Sequence, residues 1–196
     1  MRTFWEEHYR TFTQRRTNPV LVEIASGLTP GTALDLGCGG GGDALWLARA
    51  GWRVAAVDLS ATATARLAEA AGGLDLRAEQ HDLTATFPEG GFDLITALYF
   101  HSPFDFPRSR VLRTAARALN PGGRLLVVDH GSIAPWSWNQ DPDVDHPTPH
   151  EVADGLDLDP DGWSVERADA PRRIATGPDG QTAEVVDHVL VIRARS

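Results

Sequence analysis

The chain has 196 residues, a formal net charge of −9 and a single cysteine, Cys38. That length suits one domain with a full hydrophobic core. One cysteine excludes an internal disulfide or a cysteine-rich zinc site, and the acidic balance argues against broad nucleic-acid binding, which depends on neutralising phosphates.

All eighteen basic residues are arginine. Schiff-base chemistry and the phosphate-gripping lysine of a P-loop are therefore ruled out. The opening segment, MRTFWEEHYR, is charged and aromatic rather than leader-like. No apolar run approaches the roughly 18 residues of a membrane span. The expectation is a cytoplasmic protein with neither membrane nor nucleic acid as partner; the oligomeric state is left open.

Residues 1–28 read as helical, with Trp5, Tyr9 and Phe12 near one face. Ala33–Leu36 is a short apolar strand that stops at a glycine cluster, and Asp43–Ala50 has helical spacing ended by Gly51. Arg53–Val57 is a second strand, and Ser60 stands where an N-cap belongs before the Ala-rich helix 61–71. Leu74–Ala78 and Phe92–Leu98 read as strands three and four. Arg108–Leu119 places Val111, Leu112, Ala115, Ala116 and Leu119 on one helical face. Pro121-Gly122-Gly123 turns the chain into a fifth strand, Arg124–Val128. Alternating apolar strands and helices indicate parallel βαβ units with both sheet faces covered. Segment 131–161 reads as a long loop with one short helix near 150–156. Strand candidates at about 163–169 and 184–193 flank the turn Gly177-Pro178-Asp179-Gly180, and are expected to pair antiparallel at the sheet edge.

The phrase Leu34-Asp35-Leu36-Gly37-Cys38-Gly39-Gly40-Gly41-Gly42 joins a strand to a helix. Glycines there let a ligand approach the backbone beside the positive end of the helix. Gly37, Gly39 and Gly42 also satisfy a dinucleotide fingerprint, so an NAD-dependent oxidoreductase is one reading. Asp35 opposes it, because a carboxylate two residues before Gly37 would repel a pyrophosphate. A cofactor with an ammonium and a sulfonium would favour that carboxylate. Asp58 ends the second strand, where an acid can bond ribose hydroxyls. After the third strand, Asp82 can accept from an adenine amino group while the backbone N–H of Leu83 meets a ring nitrogen. Three acids after three successive strands suit an adenosine with a cationic tail.

Over nearly its whole length the sequence resembles the class I S-adenosylmethionine-dependent methyltransferases. The matching residues are Leu34–Gly39, Val57-Asp58, Asp82-Leu83, Gly91-Phe92-Asp93 and Leu119-Asn120-Pro121-Gly122-Gly123. More narrowly it is similar to small bacterial tellurite-resistance and thiopurine-type methyltransferases, through Phe4–Arg10, Arg16-Thr17-Asn18-Pro19 and Asp43–Ala48. The resemblance implies a Rossmann-like α/β fold: a seven-stranded, mostly parallel sheet with helices on both faces and an antiparallel C-terminal strand pair. It implies one domain over 1–196, made of an N-terminal helical lid (1–28), a cofactor-binding core (33–129), the 131–161 loop and the strand pair (163–194). S-adenosylmethionine is then the cofactor. Gly37 and Gly39 would lie at its methionine part, Asp58 at the ribose, Asp82 and Leu83 at the adenine, and Leu98 with Tyr99 beside the methyl; Asp35, Cys38 and Leu59 are further cofactor-binding candidates. Relatives often carry an acid at the position of Gly40, and the stretch before Arg16 is shortened and lacks a tryptophan. The second departure bears on the lid and hence on acceptor choice.

The expected reaction is methyl transfer to a small-molecule acceptor: a thiol, a chalcogen oxyanion or a natural-product-like nucleophile. The sulfonium is already activated, so alignment and exclusion of water matter most. A general base helps only where the acceptor must lose a proton. His101 and His130, following strands four and five, are the candidates. Trp5, Tyr9 and Arg16 are candidate lid residues, with Arg16 pairing either an anionic acceptor or the cofactor carboxylate. Trp136 and Trp138 are candidates for an acceptor pocket. No metal site is expected: the EF-hand-like Asp157–Gly162 has Ala168 where a bidentate Glu is required, and the acids and histidines of 141–150 are broken by prolines. A non-catalytic S-adenosylmethionine-binding module is the other alternative.

Overall fold

A computed structural model describes residues 1–12, 15–137, 139–141 and 143–195. Trp138, one of the candidate pocket residues, lies outside them. Two helices, α1 (Arg2–Thr11) and α2 (Pro19–Ala25), precede β1 (Thr32–Leu36), α3 (Gly42–Arg49), β2 (Arg53–Asp58), α4 (Ala61–Ala71) and β3 (Leu76–Gln80). There follow β4 (Phe92–Leu98), α5 (Arg108–Arg117), β5 (Leu119–His130), α6 (Pro149–Gly155), β6 (Trp163–Asp169), β7 (Arg172–Thr176) and β8 (Thr182–Ala194).

The sheet runs β3-β2-β1-β4-β5-β8-β6, parallel through β5 and antiparallel at β8. These are the seven strands expected, and the C-terminal pair is β6 with β8, in register from Trp163 against Ala194. An eighth strand, β7, was not foreseen. It pairs with β8 outside that path, and it is β7 that the Gly177–Gly180 turn joins to β8. Its sequence, Arg-Arg-Ile-Ala-Thr, turns Ile174 out to solvent and Arg173 inward, so the apolar alternation that announces a strand is inverted.

Side-chain alternation along the strands divides the core in two. Ala33, Val54, Ala56, Leu94, Leu126 and Val128 face α2, α3 and α4. Their chain neighbours Leu34, Ala55, Val57, Ile95, Leu125 and Val127 face α5 and α6. Caps fix the helix starts. Asn18 caps α2 ahead of Pro19, Ser60 accepts from Ala63 N at α4, and Thr148 with Glu151 forms a capping box at α6.

Helix α1 differs from the rest, since none of its residues is buried. It packs on α4 rather than on the sheet. The Glu6 carboxylate accepts from Ala61 N, Thr62 N and the Ser60 hydroxyl at the start of α4. Arg66 of α4 donates to the carbonyls of Tyr9 and Arg10 at the end of α1. Each helix thus caps the other with a charge of the sign its dipole favours. No helix among the described residues is long and apolar enough to cross a membrane.

Candidate functional site

The carboxyl ends of β1, β2, β4 and β5 open onto two adjoining cavities. In an open α/β sheet this is the edge where ligands bind. The smaller cavity measures about 90 Å³ and the larger about 450 Å³.

Asp58, Leu59, Asp82 and Leu83 line the smaller cavity, with Trp5 and His101 across from them. Cys38, Gly39, Leu98, Arg16 and His130 line the larger one. Tyr9, Gly37 and Tyr99 border both. Asp35 borders neither. It is buried behind the glycine loop and accepts from the Thr96 hydroxyl at 2.7 Å. Trp136 reaches the larger cavity.

Asp58 does two jobs in this geometry. Its Oδ2 accepts from Gly39 N at 3.0 Å and its Oδ1 from Ser60 N at 2.9 Å, so it ties the glycine loop to the corner between β2 and α4. Each oxygen keeps a lone pair for a ligand hydroxyl in the smaller cavity. Two glycines cannot be replaced without displacing the N-terminal segment. Gly39 has φ +49°, and a Cβ there would lie 2.7 Å from the Tyr9 hydroxyl. At Gly42 a Cβ would fall 2.3 Å from the Arg16 carbonyl oxygen, which is backbone and cannot swing aside.

Three carboxylates cluster behind this loop. Burial, then the neighbouring charge of Asp43, pushes Asp35 well above the usual carboxylate range, against the Thr96 hydrogen bond. Burial likewise raises Asp43, and also Asp58 despite its backbone donors. Burial also raises the Cys38 thiol, leaving it a poor nucleophile. Such a cluster gains by the arrival of a cation. Asn18, which is 7% exposed and lines the larger cavity, offers a buried Nδ2 that has no hydrogen-bond partner among the described residues. Buried acids, an unpartnered donor and a bare glycine loop fit a zwitterionic, positively charged cofactor tail. The polar groups of the smaller cavity fit its nucleoside.

Two networks brace the far walls, and sequence reasoning missed both. Asp129, at the end of β5, accepts from Arg108 Nη2 at 2.6 and 2.8 Å, and lies 3.2 Å from His101 Nε2. Burial would raise its pKa, but the His101 hydrogen bond and the Arg108 charge outweigh that and hold it low. In the second network, Asp187 of β8 accepts from the Tyr99 hydroxyl at 2.9 Å and from Arg173 Nε at 2.5 Å. Arg173 Nη2 also donates to the Tyr99 oxygen at 2.9 Å. Burial and then the Asp187 charge push the Tyr99 phenol up to about 12. Tyr99 itself sits at φ +51°, a left-handed conformation held by its N–H to Val128 O at 2.7 Å. The His130 ring stacks on Tyr99 at 4.2 Å. Withdrawal from water, then the nearby His101, lowers its pKa, so the neutral imidazole is favoured.

Comparisons with known proteins agree with this chemistry. Residues 33–123 match the methyltransferase domain family. The ribosomal RNA small subunit methyltransferase C of Alcanivorax borkumensis is 34% identical over 57% of this chain and 36% of its own length. A ubiquinone biosynthesis O-methyltransferase of Xanthomonas oryzae pv. oryzae is 33% identical over 56% of this chain and 48% of its own. The chain therefore spans about a third to a half of the length of these curated relatives. Among solved structures, one described for the conversion of a disulfide bond into a thioacetal group during echinomycin biosynthesis superposes with TM-score 0.74 and 25% identity. It covers 100% of this chain and 93% of that one. TehB from Haemophilus influenzae superposes with TM-score 0.67 and 16% identity, over 98% of this chain and 67% of its own. Residues 33–123 thus match a methyltransferase domain, and the chain as a whole shares its fold with TehB and with other solved methyltransferase structures, among them one with S-adenosylmethionine bound.

Proposed function

We propose that the chain methylates a small-molecule acceptor held in the larger cavity, with the cofactor's nucleoside in the smaller one. The observation that carries this reading is the pair of adjoining cavities meeting at Tyr99 and Gly37. An open cavity of about 450 Å³ is of the size that small-molecule sites have. The ribosomal RNA relative prompts a nucleic-acid acceptor as the second reading; the net charge of −9 supports the smaller one.

When bound, S-adenosylmethionine supplies a methyl carbon that accepts the acceptor's lone pair as the C–S bond electrons return to sulfur. The residues set the conditions for that displacement. Asp58 and Asp82 orient the nucleoside, and Asn18 Nδ2 meets the carboxylate of the methionine end. Helix α1, carrying Trp5 and Tyr9, closes over the smaller cavity and keeps water out. Tyr99 is held by Asp187 and Arg173 and forms a fixed wall between the two spaces. His130 lines the acceptor side and takes the acceptor's proton. His101 faces the nucleoside side and is engaged by Asp129, so its part is to position the loop after β4.

Calorimetric titration with S-adenosylhomocysteine, followed by a thiol and phenol acceptor panel read by mass spectrometry, tests the reading. Saturable cofactor binding without a methylated product from any panel member would count against the small-acceptor assignment. For an acceptor with a dissociable proton, the wild-type rate should fall on acidification through a value below the ordinary histidine pKa of about 6.5. In His130→Gln that limb should vanish and kcat drop by about a hundredfold. A variant that keeps the wild-type profile would move the proton to solvent.

A further inference from the structure

We infer that Arg16 selects the acceptor: the larger cavity takes a molecule with a planar, apolar body and an anionic oxygen group such as a carboxylate. This rests on the placement of the acceptor in that cavity and goes on to name its chemical class.

The cavity is unusual for an acidic chain. Among the described residues of its lining the one carboxylate is Asp43, beside the glycine loop, against two guanidinium groups, Arg16 and Arg173. They are not equivalent. Arg173 is neutralised by Asp187 and committed to Tyr99, so its role is to brace the wall. Arg16 is different. Its Nη1 donates to a neutral carbonyl, Thr176 O, at 2.8 Å. Among the described residues no carboxylate pairs with it. That hydrogen bond carries the side chain across from the N-terminal segment to the end of β7. The charge is thus held at the cavity rim with its remaining N–H groups uncommitted among the described residues, and a guanidinium so placed recognises a carboxylate.

The planar body follows from the opposite wall. Tyr99 and His130 are stacked 4.2 Å apart and 15° from parallel, and Trp136 and Phe12 also border the space. The cofactor carboxylate has its own donor in Asn18 Nδ2, which is buried and unpartnered where Arg16 is exposed. Arg16 is thereby left for the second ligand.

The test uses the full chain saturated with S-adenosylhomocysteine and titrated calorimetrically with 2-naphthoate and with its uncharged counterpart 2-naphthylmethanol. The naphthoate should bind tighter by about tenfold or more. Arg16→Gln should bring the two affinities together, and Arg16→Lys, which keeps the charge without the fork, should retain part of the preference. Equal affinities in the wild type, a preference that survives Arg16→Gln, or no naphthoate binding to the loaded protein would each overturn the assignment. The cofactor itself is the control. If Arg16→Gln weakens S-adenosylhomocysteine but spares 5′-methylthioadenosine, which lacks the carboxylate, the arginine serves the cofactor and the inference falls. Absence of S-adenosylhomocysteine binding in the wild type would instead overturn the reading beneath it.

Discussion

Asp58→Ala is expected to weaken S-adenosylhomocysteine binding by about a hundredfold or more while leaving the protein folded. The residue is 6% exposed, and its two oxygens receive Gly39 N and Ser60 N. Removing it strands both backbone donors, at about 1–3 kcal/mol each. It also frees the glycine loop from the β2–α4 corner and deletes the acceptor proposed to face the ribose. Stability suffers less than binding, because the folded chain no longer has to hold a buried carboxylate whose charged form is already disfavoured. Asp58→Asn keeps the shape and one acceptor, and should fall between. Calorimetry beside a thermal melt separates the two effects. An alanine variant that binds within about threefold of wild type would remove Asp58 from the cofactor site.

The second large effect is on stability. Asp129 is 2% exposed and compensates Arg108 through two hydrogen bonds, with His101 as a third partner. Asp129→Ala leaves a half-buried guanidinium without its counter-charge, a change that costs about 3–5 kcal/mol. For a chain of this size the melting temperature should drop by on the order of 10 °C. The sign of the pH dependence follows from its lowered pKa. A carboxyl depressed in the folded state stabilises above its unfolded value, about 3.9, and that contribution is lost as pH falls through the folded value. The gap between wild type and Asp129→Asn should therefore be widest at neutral pH and close below about pH 4. A gap that widens on acidification would mean the Arg108 pair is not what holds this corner.

Much of the parallel half of the fold is written locally. Phe92–Leu98 and Ala61–Ala71, with its Ser60 cap, have the bounds their residues announce, because apolar alternation and capping chemistry lie within a few positions. The glycine loop, Asp35 and Asp58 at the ends of β1 and β2, and Asp82 after β3 are legible for the same reason. What was missed is held together across the chain. Tyr99 meets Arg173 and Asp187 over 74 and 88 positions. Glu6 finds the start of α4 over more than fifty. No local pattern marks such partners. Asp35 is the instructive residue: its spacing invites a ligand contact, yet Thr96 on the neighbouring strand takes its carboxyl into the core. Strand β7 escaped notice because its inward residue is an arginine whose partner sits on the next strand.

The place of β8 in the sheet bears on how the chain folds. This strand is interior, lying between β5 and β6. Fifty-one residues separate its first residue, Thr182, from the last of β5, His130. Until that distance is closed, Leu125, Leu126, Val127 and Val128 form an unpaired apolar edge, the kind of surface that invites another chain. Pairing so distant in sequence is slow to nucleate, and its loop-closure entropy is spent before any contact returns it. The β7–β8 hairpin that walls the larger cavity is thus also the plug that ends the aggregation-prone stage of folding. Chains cut before residue 182 should accumulate as aggregate rather than as a smaller binding-competent domain.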